Sequence, residues 1–319
     1  MHFRCSMAAD QKKIIGITGG TGFIGSHLGR MLVADGHEVV IFTTHPAKKK
    51  NIPGYTYSYW NPVEGKCDLT SLKRLNAMVN LAGAGIADKT WTAKRKKEIV
   101  DSRVQATHFL TSRLREYGRD CEVFICASAI GYYGPDRGHT GPFTETDPHY
   151  HDFLGETCDK WEQAAMSIAD KMRTVIFRFG IVLGRESGMF KKVAQPMGLG
   201  VVPILGSGHQ VISWIHVEDL AHMLYKAITD SAITGVYNAA SPHPVAHKTL
   251  MELIAHVKGG LKLPVHIPTA LLRYLLGEMS KEVLKSCTVN VDKALQAGFT
   301  FQYDTAEKAV KDIRSSHYR

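Results

Sequence analysis

Residues 14–29 read IIGITGGTGFIGSHLG, a β-branched run that passes through a cluster of glycines into a segment of helical pattern. Gly19, Gly22 and Gly25 are spaced G-x-x-G-x-x-G between a strand expected at 13–18 and a helix expected over IGSHLGRMLVADG. Glycines alone say little; strand, turn and helix in this order give them a mechanism. One glycine lets the turn adopt φ > 0, another lets the backbone approach a pyrophosphate, and the third lets helix and strand pack closely. The helix N-terminus then offers free N–H groups and partial positive charge to phosphates. The competing reading is a structural turn without a ligand.

The same alternation runs along the chain. Further strands are expected at 38–43, 77–82, 122–128, 173–179 and 235–240. Between them lie helical stretches, among them GETCDKWEQAAMSIAD and KRKKEIVDSRVQATHFLTSRLREYG, the latter read as one long helix. Strands that alternate with helices predict an α/β fold, a doubly wound parallel sheet of the Rossmann kind. After Pro242 and Pro244 the texture changes to the helical patterns KTLMELIAHVKGG and TALLRYLLGEMSKEVLKSC. The expected organisation is a disordered extension at 1–12, a nucleotide-binding domain at 13–243 and a small, mainly helical, substrate-side domain at 244–319. An insertion at about 185–215 is expected to close over the ligand site.

Composition narrows the function classes. No apolar run approaches the length of about 18 residues needed to span a bilayer, so no membrane partner is expected. The N-terminal residues lack the apolar core of a signal peptide, and Met7 offers an alternative start. The formal charge of +9 favours anionic ligands, and its densest runs, Lys48–Lys50 and Lys94–Lys97, lack the interleaved aromatics of a single-strand binding surface. Nucleic acid is therefore not an expected partner. The six cysteines include no C-x-x-C pair, which fits a reducing cytoplasm, and the His149–His151 triplet HYH belongs to no ligand-like motif. No metal is expected.

The end of the second strand bears on which dinucleotide binds. NAD sites place an acidic residue there, on the ribose 2′-hydroxyl. Here the chain reads Phe42, Thr43, Thr44, His45 and then Lys48, Lys49 and Lys50, with no carboxylate. Hydroxyls and cations suit a 2′-phosphate, which favours NADP; the lysines alone would equally suit a solvated loop.

The ordered motifs GGTGFIG (19–25), NLAGAGI (80–86), SAIGYYG (128–134), RFGIVLG (178–184) and SWIHVEDL (213–220) together resemble the extended short-chain dehydrogenase/reductases. More narrowly, DKWEQAA, GSGHQVISWIHVEDL, LLGEMS and AGFTFQY are similar to the NAD-dependent epimerase/dehydratase-like proteins of the YfcH/SulA-like epimerase subfamily, over nearly all of 13–315. The resemblance implies NADP(H) as cofactor. It places Gly19, Gly22, Phe23, Ile24 and Gly25 on the pyrophosphate, Thr43 and Thr44 at the adenosine end, and Leu81, Ala82 and Gly83 along the adenine-ribose edge. Glu98 and Arg103 would approach from the long helix, Arg103 where many members carry asparagine.

The resemblance also implies a Tyr-x-x-x-Lys pair with a Ser or Thr. The lysine lowers the tyrosine pKa and binds the nicotinamide ribose, and the phenol exchanges a proton with substrate. None of the twelve tyrosines has a lysine four residues on. Alignment on Trp161-Glu162 puts Leu154 at the tyrosine position and Cys158 at the lysine position. The remaining catalytic candidates are Ser128 (Ala129 if the register shifts by one), Tyr133, Tyr132 and Cys158. Each has a bland alternative: aromatic packing for the tyrosines, a buried helix residue for the cysteine. His216 is read as a proton carrier or a histidine beside a helix start with Asp219 in the first turn; Arg178 is expected to fix loops or a carboxylate. The expectation is an NADP(H)-dependent oxidoreductase or epimerase-like enzyme with a non-standard site, acting on a small molecule, with a homodimer left open. The alternative is a non-catalytic NADP(H) sensor or scaffold, a role the resemblance links to cell division.

Overall fold

The computed structural model describes residues 12–185, 190, 195–260 and 262–315. Most of the expected extension at 1–12, and residues 186–189 and 191–194 of the expected insertion, lie outside them.

Eight strands form the central sheet: β1 Ile14–Thr18, β2 Glu38–Thr43, β3 Tyr55–Asn61, β4 Lys66–Cys67, β5 Ala77–Asn80, β6 Val123–Ala129, β7 Arg173–Phe179 and β8 Gly235–Ala239. Their order is β8-β7-β6-β5-β1-β2-β3-β4, and all pairs are parallel except β3 with β4. The chain winds outward from β1 in one direction, then returns to β5 and winds the other way. Thr18 at the end of β1 pairs with both Phe42 and Asn80, so this reversal opens at the carboxyl ends of β1 and β5. Doubly wound sheets bind ligands at such a point.

Alternate side chains of the buried strands face opposite layers. On one face Ile15, Ile17, Val39, Ile41 and Phe177 pack against helices α1 (Phe23–Ala34) and α6 (Val217–Thr229) through Leu28, Leu32, Leu220 and Leu224. On the other, Val40, Phe42, Met78 and Phe124 meet α2 (Leu69–Lys73), α4 (Val104–Tyr117) and α5 (Phe153–Met166) through Leu72, Leu110, Leu114 and Trp161. A further core joins Leu183, Val202, Ile204 and Trp214 to the helices His247–Lys258 and Ala306–Ser315 through Leu250, Ile254 and Val310.

Two elements differ from expectation. Strand β3, YTYSYWN, is half exposed and alternates polar with aromatic residues, so it lacks the apolar run that marks the inner strands. The long basic helix is two: α3 (Ala93–Asp101) stops, and α4 begins after Arg103, whose φ of −105° and ψ of −63° depart from the helical run. The break has local causes. The Ser102 hydroxyl donates to the Ile99 carbonyl and accepts the Ala84 N–H, which fastens the α3 end to the loop after β5.

Candidate functional site

The glycine turn is shaped by close approaches. Gly19 has φ +68°, and a Cβ there would sit 2.9–3.0 Å from the Leu81 and Ala82 backbone, so the loops after β1 and β5 touch. A Cβ at Gly25 would lie 2.6 Å from the Gly19 carbonyl oxygen, closer than real Cβ contacts come. The Gly22 N–H closes the turn on that same oxygen at 2.9 Å. Helix α1 opens at Gly22 with no side-chain cap, so its first N–H groups, from Phe23 onward, face the cleft without a cap competing for them. These features fit a dinucleotide pyrophosphate.

The facing edge is fixed by Thr18. Its hydroxyl donates to Asn80 Oδ1 at 2.6 Å and accepts the N–H groups of Leu81 and Ala82 at 3.2 and 3.3 Å. Asn80 Nδ2 in turn donates to Thr107 Oγ1, which also takes the Trp161 indole N–H. The sheet end is thereby locked to α4 and α5, with Leu81 and Ala82 half-buried and Gly83 exposed. Thr43 and Thr44 close β2, and Lys48, Lys49 and Lys50 are exposed beyond them.

Arg103 enters beneath Gly83: a Cβ on that glycine would lie 3.2 Å from the guanidinium carbon. Its Nη1 donates to the Ala84 and Ile99 carbonyls at 3.0 and 3.2 Å, and its guanidinium carbon lies 5.3 Å from the Trp161 ring centre. Glu98 is placed differently. Its exposed carboxylate pairs with Arg95 at 2.7 Å, and Arg95, itself buried, bonds the Gly85 carbonyl, so Glu98 touches the cofactor-side loop through Arg95. In the sequence Arg95 is one charge of the basic run 94–97, with nothing there to separate it from a solvated face.

The catalytic candidates are brought together, but in the core. Ser128 is buried and its hydroxyl donates to Glu162 Oε1 at 2.6 Å. Tyr133 is fully buried; its hydroxyl donates to Asn238 Oδ1 at 2.9 Å and accepts from Arg178 Nη1 at 2.7 Å, and burial holds it well above the ordinary phenol range. Glu162 completes the cluster by accepting from Arg178 Nε and Nη2 at 2.9 and 2.8 Å. Arg178 thus fixes a carboxylate, as its expected role had it. Cys158 is also buried, with its thiol pushed up to about 12 by desolvation, and is no thiolate near neutral pH. Tyr132 alone of the four keeps a partly exposed ring, stacked 3.5 Å beneath the Arg178 guanidinium.

Leu154 occupies the first turn of α5, packed toward Gly131, with Cys158 one turn further on. Beside Leu154 opens a cleft of about 160 Å³ walled by Trp91, Lys96, Phe153, Glu278 and Lys281. Lys160 and Glu156 pair with each other on the exposed face of α5, away from Cys158. His216 is the N-cap of α6: it accepts the Glu218 N–H, and burial lowers its pKa to about 4. Asp219 in the first turn accepts the Gln302 and Tyr303 N–H groups. Both are tied into the join with the C-terminal helix, the histidine-beside-a-helix-start reading. Glu162, eight residues after Leu154, could have been singled out as the one buried carboxylate of α5; that it is the carboxylate Arg178 fixes could not.

Comparison with known proteins agrees with this architecture. Residues 15–240 match the model of the NAD dependent epimerase/dehydratase family, and residues 267–313 match a domain of unknown function, DUF1731. The chain is 36% identical over 302 residues to the epimerase family protein YfhF of Bacillus subtilis, covering 94% of this chain and 97% of that protein. It is 33% identical over 323 residues to a chloroplastic SDR39U1 homolog of Arabidopsis thaliana, covering 97% and 89%. Among solved structures, human SDR39U1 with NADPH superposes with a TM-score of 0.82 at 28% identity, over 95% of this chain and 99% of that one. Glycine turn, switch-point sheet and matched length converge: the chain belongs to the NAD dependent epimerase/dehydratase family.

Proposed function

We propose that this protein is an NADP(H)-binding oxidoreductase or epimerase-like enzyme of small molecules that works without the Tyr-x-x-x-Lys pair of its wider family. The observation that carries the reading is a contrast between two stretches of the chain. The glycine turn is shaped for a pyrophosphate, while the positions that would handle protons hold Leu154 and Cys158. Gly19, Gly22, Phe23, Ile24 and Gly25 would hold the pyrophosphate, Thr43 and Thr44 the adenosine end, and Leu81, Ala82 and Gly83 the adenine-ribose edge. NADP is favoured over NAD because no carboxylate follows β2 and three exposed lysines do. The NADPH bound to human SDR39U1 supports the same choice. When bound, the cofactor supplies hydride transfer at the nicotinamide.

The residues then divide. Ser128, Tyr133 and Cys158 hold the scaffold, Glu98 orients Arg95, and Tyr132 is the phenol left to meet a substrate. The cleft beside Leu154 is the proposed substrate entrance, closed on one side by the C-terminal segment that the YfcH/SulA-like resemblance makes the substrate-side domain. Thermal unfolding with NADPH against NADH tests the cofactor assignment. NADPH at 100 times its Kd adds about 2.7 kcal/mol; equal and negligible shifts with both dinucleotides overturn it.

A second reading is a cofactor-dependent sensor without turnover, favoured by one observation: Leu154 and Cys158 place no exchangeable proton of ordinary pKa at the Tyr and Lys positions, and the Ser128 hydroxyl is committed to Glu162. NADPH consumption on a broad carbonyl panel supports the enzyme. NADPH binding with no consumption on any carbonyl supports the sensor.

A further inference from the structure

The cleft beside Leu154 carries an ion pair that the cofactor reading does not use. Lys96, on α3, pairs there with Glu278, which precedes the short helix Met279–Leu284 of the C-terminal segment. Both groups keep contact with water, and pairs of that kind are weakly held. The other carboxylates of the wall are committed elsewhere. Asp152 caps α5 by accepting the Gly155 N–H at 2.8 Å, and Glu282 is paired with Lys285 at 2.8 Å, both largely buried. Of the three, only Glu278 pairs with a cation of the wall. Lys281, three residues after it, is exposed and makes no ion pair among the described residues.

The rest of the wall is apolar and fixed. Trp91 packs edge-on against Phe153 with ring centres 5.0 Å apart, and its indole N–H donates to the Ile86 carbonyl at 2.9 Å. The Lys96 ammonium stands 5.1 Å from the centre of the Phe153 ring, a placement that attracts a cation. Leu154 adds an aliphatic surface. Apolar walls with a few convergent charges are the make-up of a small-molecule site. The space of about 160 Å³ lies below the roughly 300–1,000 Å³ of larger ligand sites, so the occupant is small.

We propose that this cleft takes a small carboxylate with an apolar body. Its anion replaces Glu278 on Lys96 and is shared with Lys281, while its body lies on Trp91, Phe153 and Leu154. Glu278 shows the class of anion that Lys96 accepts. A lysine ammonium is a compact point charge on a flexible stem, suited to exchanging one carboxylate for another. The assignment rests on the reading of this cleft as the substrate entrance, and it gives that substrate a chemical class.

Calorimetric titration of 3-phenylpropionate into the full chain, with and without NADPH, tests this against the neutral 3-phenylpropanamide. Saturable binding of the acid, at least about tenfold tighter than that of the amide, is expected in one or both conditions. Lys96→Met is expected to weaken the acid by about tenfold or more and to leave the amide within about twofold. Glu278→Gln removes the resident anion and keeps its shape, so the acid binds about threefold tighter or more. A pair with a merely structural role would not give that sign, since breaking it would loosen the site or leave it unchanged. Equal affinities for acid and amide overturn the proposal, as does an acid affinity that Lys96→Met leaves unchanged or that Glu278→Gln fails to raise. No saturable acid binding in either condition also overturns it. If Lys96→Met does not fold, the acid-to-amide ratio and Glu278→Gln decide alone. Acid binding without NADPH binding supports the subsite and fails the cofactor reading; NADPH binding without acid binding does the reverse.

Discussion

Replacing Glu162 by methionine removes the anion from the centre of the buried cluster while nearly conserving volume. Its carboxylate accepts two bonds from Arg178, at 2.9 and 2.8 Å, and one from Ser128 at 2.6 Å, and both charged partners are buried. The variant strands the Arg178 guanidinium beside Tyr132 and Tyr133 with no counter-ion, and breaking a buried pair on one side costs about 3–5 kcal/mol. At about 2.1 cal/mol/K per residue, 319 residues give an unfolding entropy of about 0.7 kcal/mol/K, so the loss appears as a fall in Tm of about 4–8 °C. Arg178→Met is expected to cost a similar amount by stranding the carboxylate. The double variant Glu162→Met/Arg178→Met leaves no charge behind and is expected to lie well above the sum of the single losses. Circular dichroism melts of the four proteins measure this. Single variants within 1 °C of the native chain, or a double variant at the full sum, would refute the placing of this pair as a buried, mutually dependent unit.

The same geometry makes other expectations. Tyr133→Phe leaves Asn238 Oδ1 and one Arg178 donor without their hydroxyl, so Tm falls by the equivalent of about 1–3 kcal/mol while NADPH affinity stays within twofold; an affinity change without a Tm change contradicts the structural role. Burial holds the pKa of His216 near 4, below the ordinary histidine value of about 6.5. The unfolded chain then binds a proton the folded one refuses, so this stability is fully present above pH 6.5 and is lost as pH falls toward 4. Replacement of His216 by asparagine should flatten the Tm profile between pH 6.5 and 4.5, and an unchanged slope argues against a neutral, buried imidazole.

Much of this was legible in the sequence, for identifiable reasons. The inner strands are apolar on both faces, so their runs of Ile, Val and Phe mark them within a residue or two, as at 38–43 and 173–179. β3 escaped because a half-exposed strand next to the sheet's edge has no such run. The α3–α4 break escaped because the apolar periodicity continues through it, and the bond that fastens the α3 end, from the Ala84 N–H to the Ser102 hydroxyl, spans 18 residues, more than a local window contains. The glycine turn was readable since glycine spacing reports backbone geometry directly. Catalytic candidates were not, because a Ser, Tyr or Cys reads alike whether its polar atom faces a cleft or a buried carboxylate. Ser128 and Tyr133 are of the second kind only because Glu162 and Arg178 arrive from α5 and β7.

The central claim is that the turn at Gly19–Gly25 is a working dinucleotide cradle although the usual proton-handling residues are gone. Isothermal titration of NADPH into the native chain and into Gly25→Ala tests it most directly. In the variant the new methyl must displace the Gly19 carbonyl, 2.6 Å away. The account predicts saturable one-to-one binding by the native chain and an affinity at least tenfold weaker in the variant, with a melt that still shows a folded protein. No saturable binding by the native chain, or equal binding by both, contradicts it.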